Sequence, residues 1–125
     1  MIEIIPYSDE HASVFKVLNL EWLDKYNLTE THDLLILNDP KGTIINNGGV
    51  IYLAKSGEEI VGSAAIINEG HGIYELAKMT VAPAFQGKGI SKLLLEKCIG
   101  AAKEKNAKKL ILFSNSRLQT AIADR

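Results

Sequence analysis

The chain has 125 residues, 46% hydrophobic and 23% charged, with a formal net charge of -1 and a single cysteine, Cys98. A chain of this length buries roughly two thirds of its unfolded surface, so one domain spanning residues 1–125 is expected, folding without metal or staples, and a disulfide scaffold is excluded. Near-neutral charge argues against nucleic acid, no apolar run approaches the roughly 18 residues of a membrane span, and Met1 to Pro6 lacks the features of a signal peptide, so a cytoplasmic protein with a small ligand is expected.

Ile2 to Pro6 is short, β-branched and closed by a proline, which predicts a first strand. Ser8 opens a helix with Asp9 and Glu10 in its first turn. Val14, Phe15, Leu18, Trp22 and Tyr26 recur at three- and four-residue steps as its apolar face, out to about Asn27. Leu34 to Leu37, after Thr31 and stopped by Asn38-Asp39-Pro40, reads as a short second helix. Val50 to Lys55 and Ile60 to Asn68 are strand-like runs joined by Ser56-Gly57-Glu58-Glu59, a hairpin pattern. The turn cluster Asn68-Glu69-Gly70-His71-Gly72 leads into a strand from Ile73 to Val81, ended by Ala82-Pro83. Three antiparallel strands in series result.

After the glycine-bearing loop from Gln86 to Ser91, a helix is expected from about Ser91 to Asn106. Its apolar side is Leu94, Leu95, Cys98, Ile99, Ala101 and Ala102, and lysines 103, 105, 108 and 109 cluster near its C-terminal end. Leu110 to Phe113 is a continuous apolar run, as in a strand covered on both faces. A right-handed crossover would set it parallel to Ile73–Val81. Arg117 to Arg125 reads as the start of another helix, with Leu118, Ala121 and Ile122 apolar. The sequence shows no internal repeat, low-complexity tract or linker.

A strand feeding a glycine loop and then a helix N-terminus is physically an anion site, since the first helical N–H groups lack partners. The loop is no dinucleotide fingerprint, because Lys92 stands where the third glycine would be, and no Walker A loop, because Gly89 follows Lys88. Taken alone, Gly87-Lys88-Gly89 is better read as a tight connection needing positive φ. In the strand before it, alternation puts Ile73, Glu75, Ala77, Met79 and Val81 on one face, so one carboxylate stands among apolar neighbours. Desolvation there would raise its pKa and suit a general base taking a proton from an ammonium. Snorkelling to the sheet edge or pairing with a lysine is the equal alternative. Trp22 and Tyr26 lie one turn apart and could line a substrate pocket, although aromatics on an apolar helix face are more often core. Cys98 reads as a structural thiol, and His11, His32 and His71 show no ligand spacing, so no metal is expected.

The segments Glu75 to Pro83, Phe85-Gln86-Gly87-Lys88-Gly89-Ile90-Ser91 and Leu93-Leu94-Leu95 agree in order and spacing with one pattern. They resemble the acyl-CoA signature of the GCN5-related N-acetyltransferase (GNAT) superfamily, Q/R-x-x-G-x-G/A between the fourth strand and the third helix. Ser91 departs from the usual Gly or Ala, yet it is small enough for the turn and its hydroxyl could reach a phosphate. Leu112-Phe113-Ser114-Asn115, Leu118 and Ala121-Ile122 are similar to the family's fifth strand and the start of its fourth helix. Asn19-Leu20-Glu21-Trp22-Leu23, Lys25-Tyr26, Asp33, Asp39-Pro40 and Gly48-Gly49 resemble a subgroup found alone or fused to helix-turn-helix regulators.

The resemblance implies an α/β (α+β) fold: a mixed, mostly antiparallel sheet with a parallel splayed strand pair joined by a crossover helix. It implies acetyl-CoA as acyl donor. The backbone N–H groups of Gln86, Gly87, Lys88, Gly89, Ile90, Ser91 and Lys92 would hold the pyrophosphate, the main chain of Met79, Thr80 and Val81 would pair with pantetheine, and Asn115 would face the groove. The implied reaction is transfer of acetyl to a primary amine of a small molecule or peptide by direct attack. Glu75 would be the base or position the amine, and Trp22 and Tyr26 would line the amine pocket. The family's fourth helix usually carries a tyrosine that protonates the departing thiolate, where this chain has Ala123-Asp124-Arg125, and two more strands usually follow. A natural chain continuing past Arg125 is the favoured expectation, ahead of a partner chain that supplies the missing edge or a lineage that has lost part of the site, and it leaves Leu110–Ser114 as an uncovered edge here. The rival readings are an acyl-CoA-binding module or sensor without turnover, and a structural α/β domain whose loop is only a turn. A homodimer is the prior for oligomeric state.

Overall fold

Alternating and β-branched runs pair in sequence before the chain reaches its longest amphipathic helix, and the sheet grows accordingly, strand by strand. The computed structural model describes residues 1–25, 31–114 and 117–122. The elements are β1 (Ile2–Pro6), α1 (Ala12–Lys25), α2 (Thr31–Asn38), α3 (Pro40–Thr43), β2 (Val50–Ser56), β3 (Glu59–Gly70), β4 (Ile73–Val81), α4 (Ile90–Glu104), β5 (Lys109–Ser114) and β6 (Arg117–Ile122). One six-stranded sheet has the order β1-β2-β3-β4-β5-β6. Its neighbours are antiparallel except β4 and β5, which run parallel across the α4 crossover.

Local chemistry sets the joints. A 3-10 turn at Asp9–His11 precedes α1, and the Ser8 backbone N–H donates to His11 Nδ1 at 3.2 Å. Asp39 ends α2 and restarts the chain as α3, its carboxylate accepting from the Gly42 N–H at 3.1 Å with Pro40 in the first helical turn. The β3–β4 hairpin turns on His71 (φ 57) and Gly72 (φ 80), and two left-handed residues match the twist of the flanking strands. At the end of α4, Asn106 takes φ 58. Its N–H donates to Lys103 O and that of Ala107 to Ala102 O, each at 3.0 Å, which satisfies the last carbonyls of the helix.

The sheet carries a core on each face. On one side Leu94, Cys98, Ala101 and Ala102 of α4 pack on Ala64, Ile66, Tyr74, Leu76 and Leu110. On the other, Phe15 of α1 and Ile36 and Leu37 of α2 pack on Ile51, Leu53 and Ala65. Of the apolar stripes expected, Phe15 and Leu18 of α1 and Leu94, Cys98, Ala101 and Ala102 of α4 are buried, Val14, Leu95 and Ile99 are partly buried, and the side chains of Trp22 and Tyr26 lie outside the described residues; α2 forms where the short helix was expected.

Two expectations are corrected. Arg117–Ile122 is a strand, not a helix: it pairs antiparallel with β5, Leu112 opposite Gln119 and Ile111 opposite Thr120, so the outer edge of β5 is covered. A short helix repays its nucleation poorly, whereas an open edge offers a full row of backbone partners. The second correction lies in β4. Ser63 pairs with Thr80 and Ala65 with Ala77, leaving Lys78 and Met79 opposite one residue of β3, and Lys78 stands at φ 54. This bulge reverses the alternation. Before it, Glu75 and Ala77 share the α1 side with their partners Ile67 and Ala65; after it, Met79 and Val81 pack toward the α4 core. The single face assumed from Ile73 through Val81 is thus two half-faces.

Candidate functional site

The parallel ladder between β4 and β5 runs from Ile73↔Lys109 to Leu76↔Leu112, and among the described residues it stops there. Beyond that point the two strands part, and the rest of β4 leads to the Ala82–Ile90 connection. A 3-10 turn at Pro83–Phe85 brings the chain round, and the Gln86 side-chain Nε2 ties it back by donating to Val81 O at 3.1 Å. Gly87 and Gly89 both take φ 80, which L side chains rarely adopt, so the sequence must be glycine there to enter α4 at this angle.

A groove of about 260 Å³ results, lined by Met79, Thr80, Val81, Phe85, Gln86, Gly87, Gly89, Ile90 and Ser91. It joins the diverging end of β4 to the N-terminus of α4. Gly89 caps that helix without a side-chain bond, and the first helical backbone bond is Leu93 N–H to Gly89 O at 3.2 Å. The N–H groups of Ile90, Ser91 and Lys92 therefore precede the helical ladder and carry the positive end of its dipole. The Gln86 N–H already reaches Pro83 O at 3.4 Å, which leaves Gly87 through Lys92 as the better-placed anion donors.

Most of the residues expected to hold a donor thus meet at one groove. Lys88 and Lys92 are exposed beside it and do not line it, and Lys88 Nζ lies 5.6 Å from the centroid of the Phe85 ring. Glu75 is half-buried in mid-sheet, between Ile67 of β3 and Ile111 of β5, one pair before the strands diverge and on the face opposite the glycine loop. Trp22 stands in α1, but its side chain, with Tyr26 and Asn115, lies outside the described residues. Cys98 is fully buried and burial pushes its thiol up to about 12, so it remains a protonated core group. Among the described residues no three His, Cys, Asp or Glu side chains gather as a metal site, and no helix is long and apolar enough to cross a membrane.

Two polar residues next to this site received no role from the sequence, although Asn19 stood in the segment that resembles the subgroup. Asn19 is 4% exposed on the buried side of α1, and Ser63 is 0% exposed in the apolar run of β3. Asn19 falls four residues after Phe15, inside the apolar stripe, and that position was the available signal. Phe85, a groove-lining residue, was visible only as part of the signature.

Comparison with known proteins agrees with this geometry. The family model described as Acetyltransferase (GNAT) family matches residues 13–123. No curated relative matches the chain. An acetyltransferase of the GNAT family from Staphylococcus aureus Mu50 is 26% identical with a TM-score of 0.83, covering 91% of this chain and 73% of its own. A GNAT family acetyltransferase from Brucella melitensis, solved in complex with acetyl-CoA, is 15% identical with a TM-score of 0.78 over 92% of this chain and 77% of its own. A predicted acetyltransferase from Clostridium acetobutylicum, solved with acetyl-CoA, is 19% identical with a TM-score of 0.75, covering 91% of this chain and 81% of its own.

Proposed function

Since the chain belongs to the acetyltransferase (GNAT) family, we propose that it moves an acetyl group from acetyl-CoA to the primary amine of a small molecule or peptide by direct attack on the thioester. The observation that carries this reading is the divergence of β4 from β5 after Leu76↔Leu112, beside a groove walled by the glycine loop and the start of α4. Pantetheine is an extended amide chain, and the Met79–Val81 main chain receives it as a neighbouring strand would be received. The N–H groups of Gly87 through Lys92 and the α4 dipole hold the pyrophosphate, with Lys88 and Lys92 screening its charge. The family resemblance assigns Asn115 to the same donor groove.

Glu75 faces the α1 side while the loop lies on the α4 side, so amine and donor approach from opposite faces and meet where the sheet opens. Glu75 takes a proton from the ammonium, directly or through water. The amine nitrogen then forms its bond to the acetyl carbon, the carbon–sulfur bond breaks, and CoA leaves as a thiolate that takes up the further proton the nitrogen sheds on becoming an amide. The family resemblance would put Trp22 and Tyr26 on the amine side. No acyl-enzyme forms, and the buried thiol of Cys98 has no part in the chemistry.

The test follows release of the CoA thiol from acetyl-CoA across a panel of amines. Glu75→Gln is expected to lower kcat about 100-fold or more while acetyl-CoA affinity is retained, because the carboxylate acts on the amine and not on the donor. An unchanged rate would remove Glu75 from the mechanism. Tight acetyl-CoA binding with no turnover on any amine would favour a binding module.

A further inference from the structure

The β4 bulge is held from behind by a buried polar chain that the reaction scheme does not use. Asn19 Nδ2 donates to Phe15 O at 2.9 Å within α1 and to Ser63 Oγ at 3.2 Å across to β3. Ser63 Oγ in turn donates to Lys78 O at 2.7 Å. Lys78 is the left-handed residue of the bulge, and the peptide that follows it begins the groove-lining segment at Met79. Among the described residues Asn19 and Ser63 are the two most interior uncharged polar side chains on the α1 side, 4% and 0% exposed, and no buried side-chain N or O there lacks a partner.

The geometry points to Asn19 and Ser63 as positioning residues that set how the β4 main chain meets the acyl donor. A trans peptide holds its C=O and N–H in opposite directions. With Lys78 O drawn toward Ser63, the Met79 N–H points away from Ser63 and β3. That direction leads to the side where the β4–β5 ladder has ended. A left-handed non-glycine backbone costs free energy and persists only where its surroundings fix it. Here the Ser63 hydroxyl is one such fixing group, and Asn19 orients that hydroxyl by occupying its acceptor lone pair. Helix α1 is thereby tied to the plane of one peptide in the donor groove. Ser63→Ala nearly keeps the volume of the side chain but removes this tie on the peptide, and small misplacements at a reacting centre cost much in rate and binding.

This inference rests on the donor site proposed above, and the experiment separates the two. The 125-residue chain, Ser63→Ala, Asn19→Ala and the hydroxyl-retaining Ser63→Thr are compared by amide NMR and by titration with acetyl-CoA. Without ligand, Ser63→Ala is expected to shift the Met79 amide resonance and speed exchange of the Met79–Val81 amides, with Asn19→Ala changing them in the same direction by less. With acetyl-CoA, Ser63→Ala should bind on the order of 10-fold more weakly and Ser63→Thr should restore affinity. Unchanged β4 amides in both alanine variants would overturn the structural link. Altered amides with unchanged acetyl-CoA affinity would overturn the positioning role alone. If the unmutated chain bound no acetyl-CoA, the donor site itself would fall, and the positioning role with it. Should Ser63→Ala not fold, Asn19→Ala, which leaves β3 and β4 intact, decides by the same two readouts.

Discussion

At Gly87 and Gly89 a Cβ would meet no protein atom within 4 Å, yet both residues hold φ 80. Crowding inside the protein is therefore not the reason for glycine. The reason is backbone conformation, worth about 1–2 kcal/mol per L-residue. Cys98 illustrates the opposite environment. Desolvation raises its thiol from 9.0 to about 12. Above pH 9 the unfolded chain gives up this proton while the folded chain keeps it, so the unfolded state gains and stability falls with rising pH. Tyr7 and Tyr52 are also raised by burial, from 10.0, so the window from pH 9 to 10 belongs chiefly to Cys98. Urea unfolding across that window should show stability falling by at most about 1.4 kcal/mol per pH unit, and Cys98→Ala should flatten the slope. A slope that survives the substitution would assign the effect elsewhere.

Elements differ in how far their sequence reveals them. Strands β1 to β4 and helices α1, α2 and α4 carry their own periodicity, turn residues and caps, and they form where those signals stand. The bulge in β4 does not announce itself, because Ile73 to Val81 alternates evenly, and it takes a partner strand with one residue fewer to break the count. Asn19 and Ser63 were opaque for the same reason: each is an ordinary polar residue until the fold brings Asn19 to Ser63 and Ser63 to Lys78 O. The segment Arg117–Ile122 fits both a helical and an alternating pattern, and the β5 edge decided between them. The loop and its helix were legible, since glycine spacing and helix entry are local. Where β2 begins, Gly49 lets the strand pass β3: a Cβ there would lie 2.3 Å from Ile66 O. Gly49→Ala is expected to destabilise by about 1–3 kcal/mol in urea unfolding, with the dependence on urea unchanged. A neutral effect would mean that the β2–β3 approach relaxes freely.

At the scale of the molecule, the arrangement divides labour between the two faces of one sheet. The α4 face holds the loop, the helix dipole and the groove, while the α1 face holds Glu75 and the Asn19–Ser63 pair. Among the described residues the β4–β5 ladder ends at Leu76↔Leu112, and it is there that the two faces can communicate through the sheet. Everything proposed for this protein depends on that opening accepting acetyl-CoA. Thermal unfolding of the chain with and without acetyl-CoA tests it. A ligand bound only to the native state at about 100 times its Kd adds roughly 2.7 kcal/mol, which for a domain of this size raises the midpoint by on the order of 10 °C. That rise, lost on Gly89→Val, is the expected result. An unmoved midpoint at millimolar acetyl-CoA would contradict the donor site and the chemistry built on it.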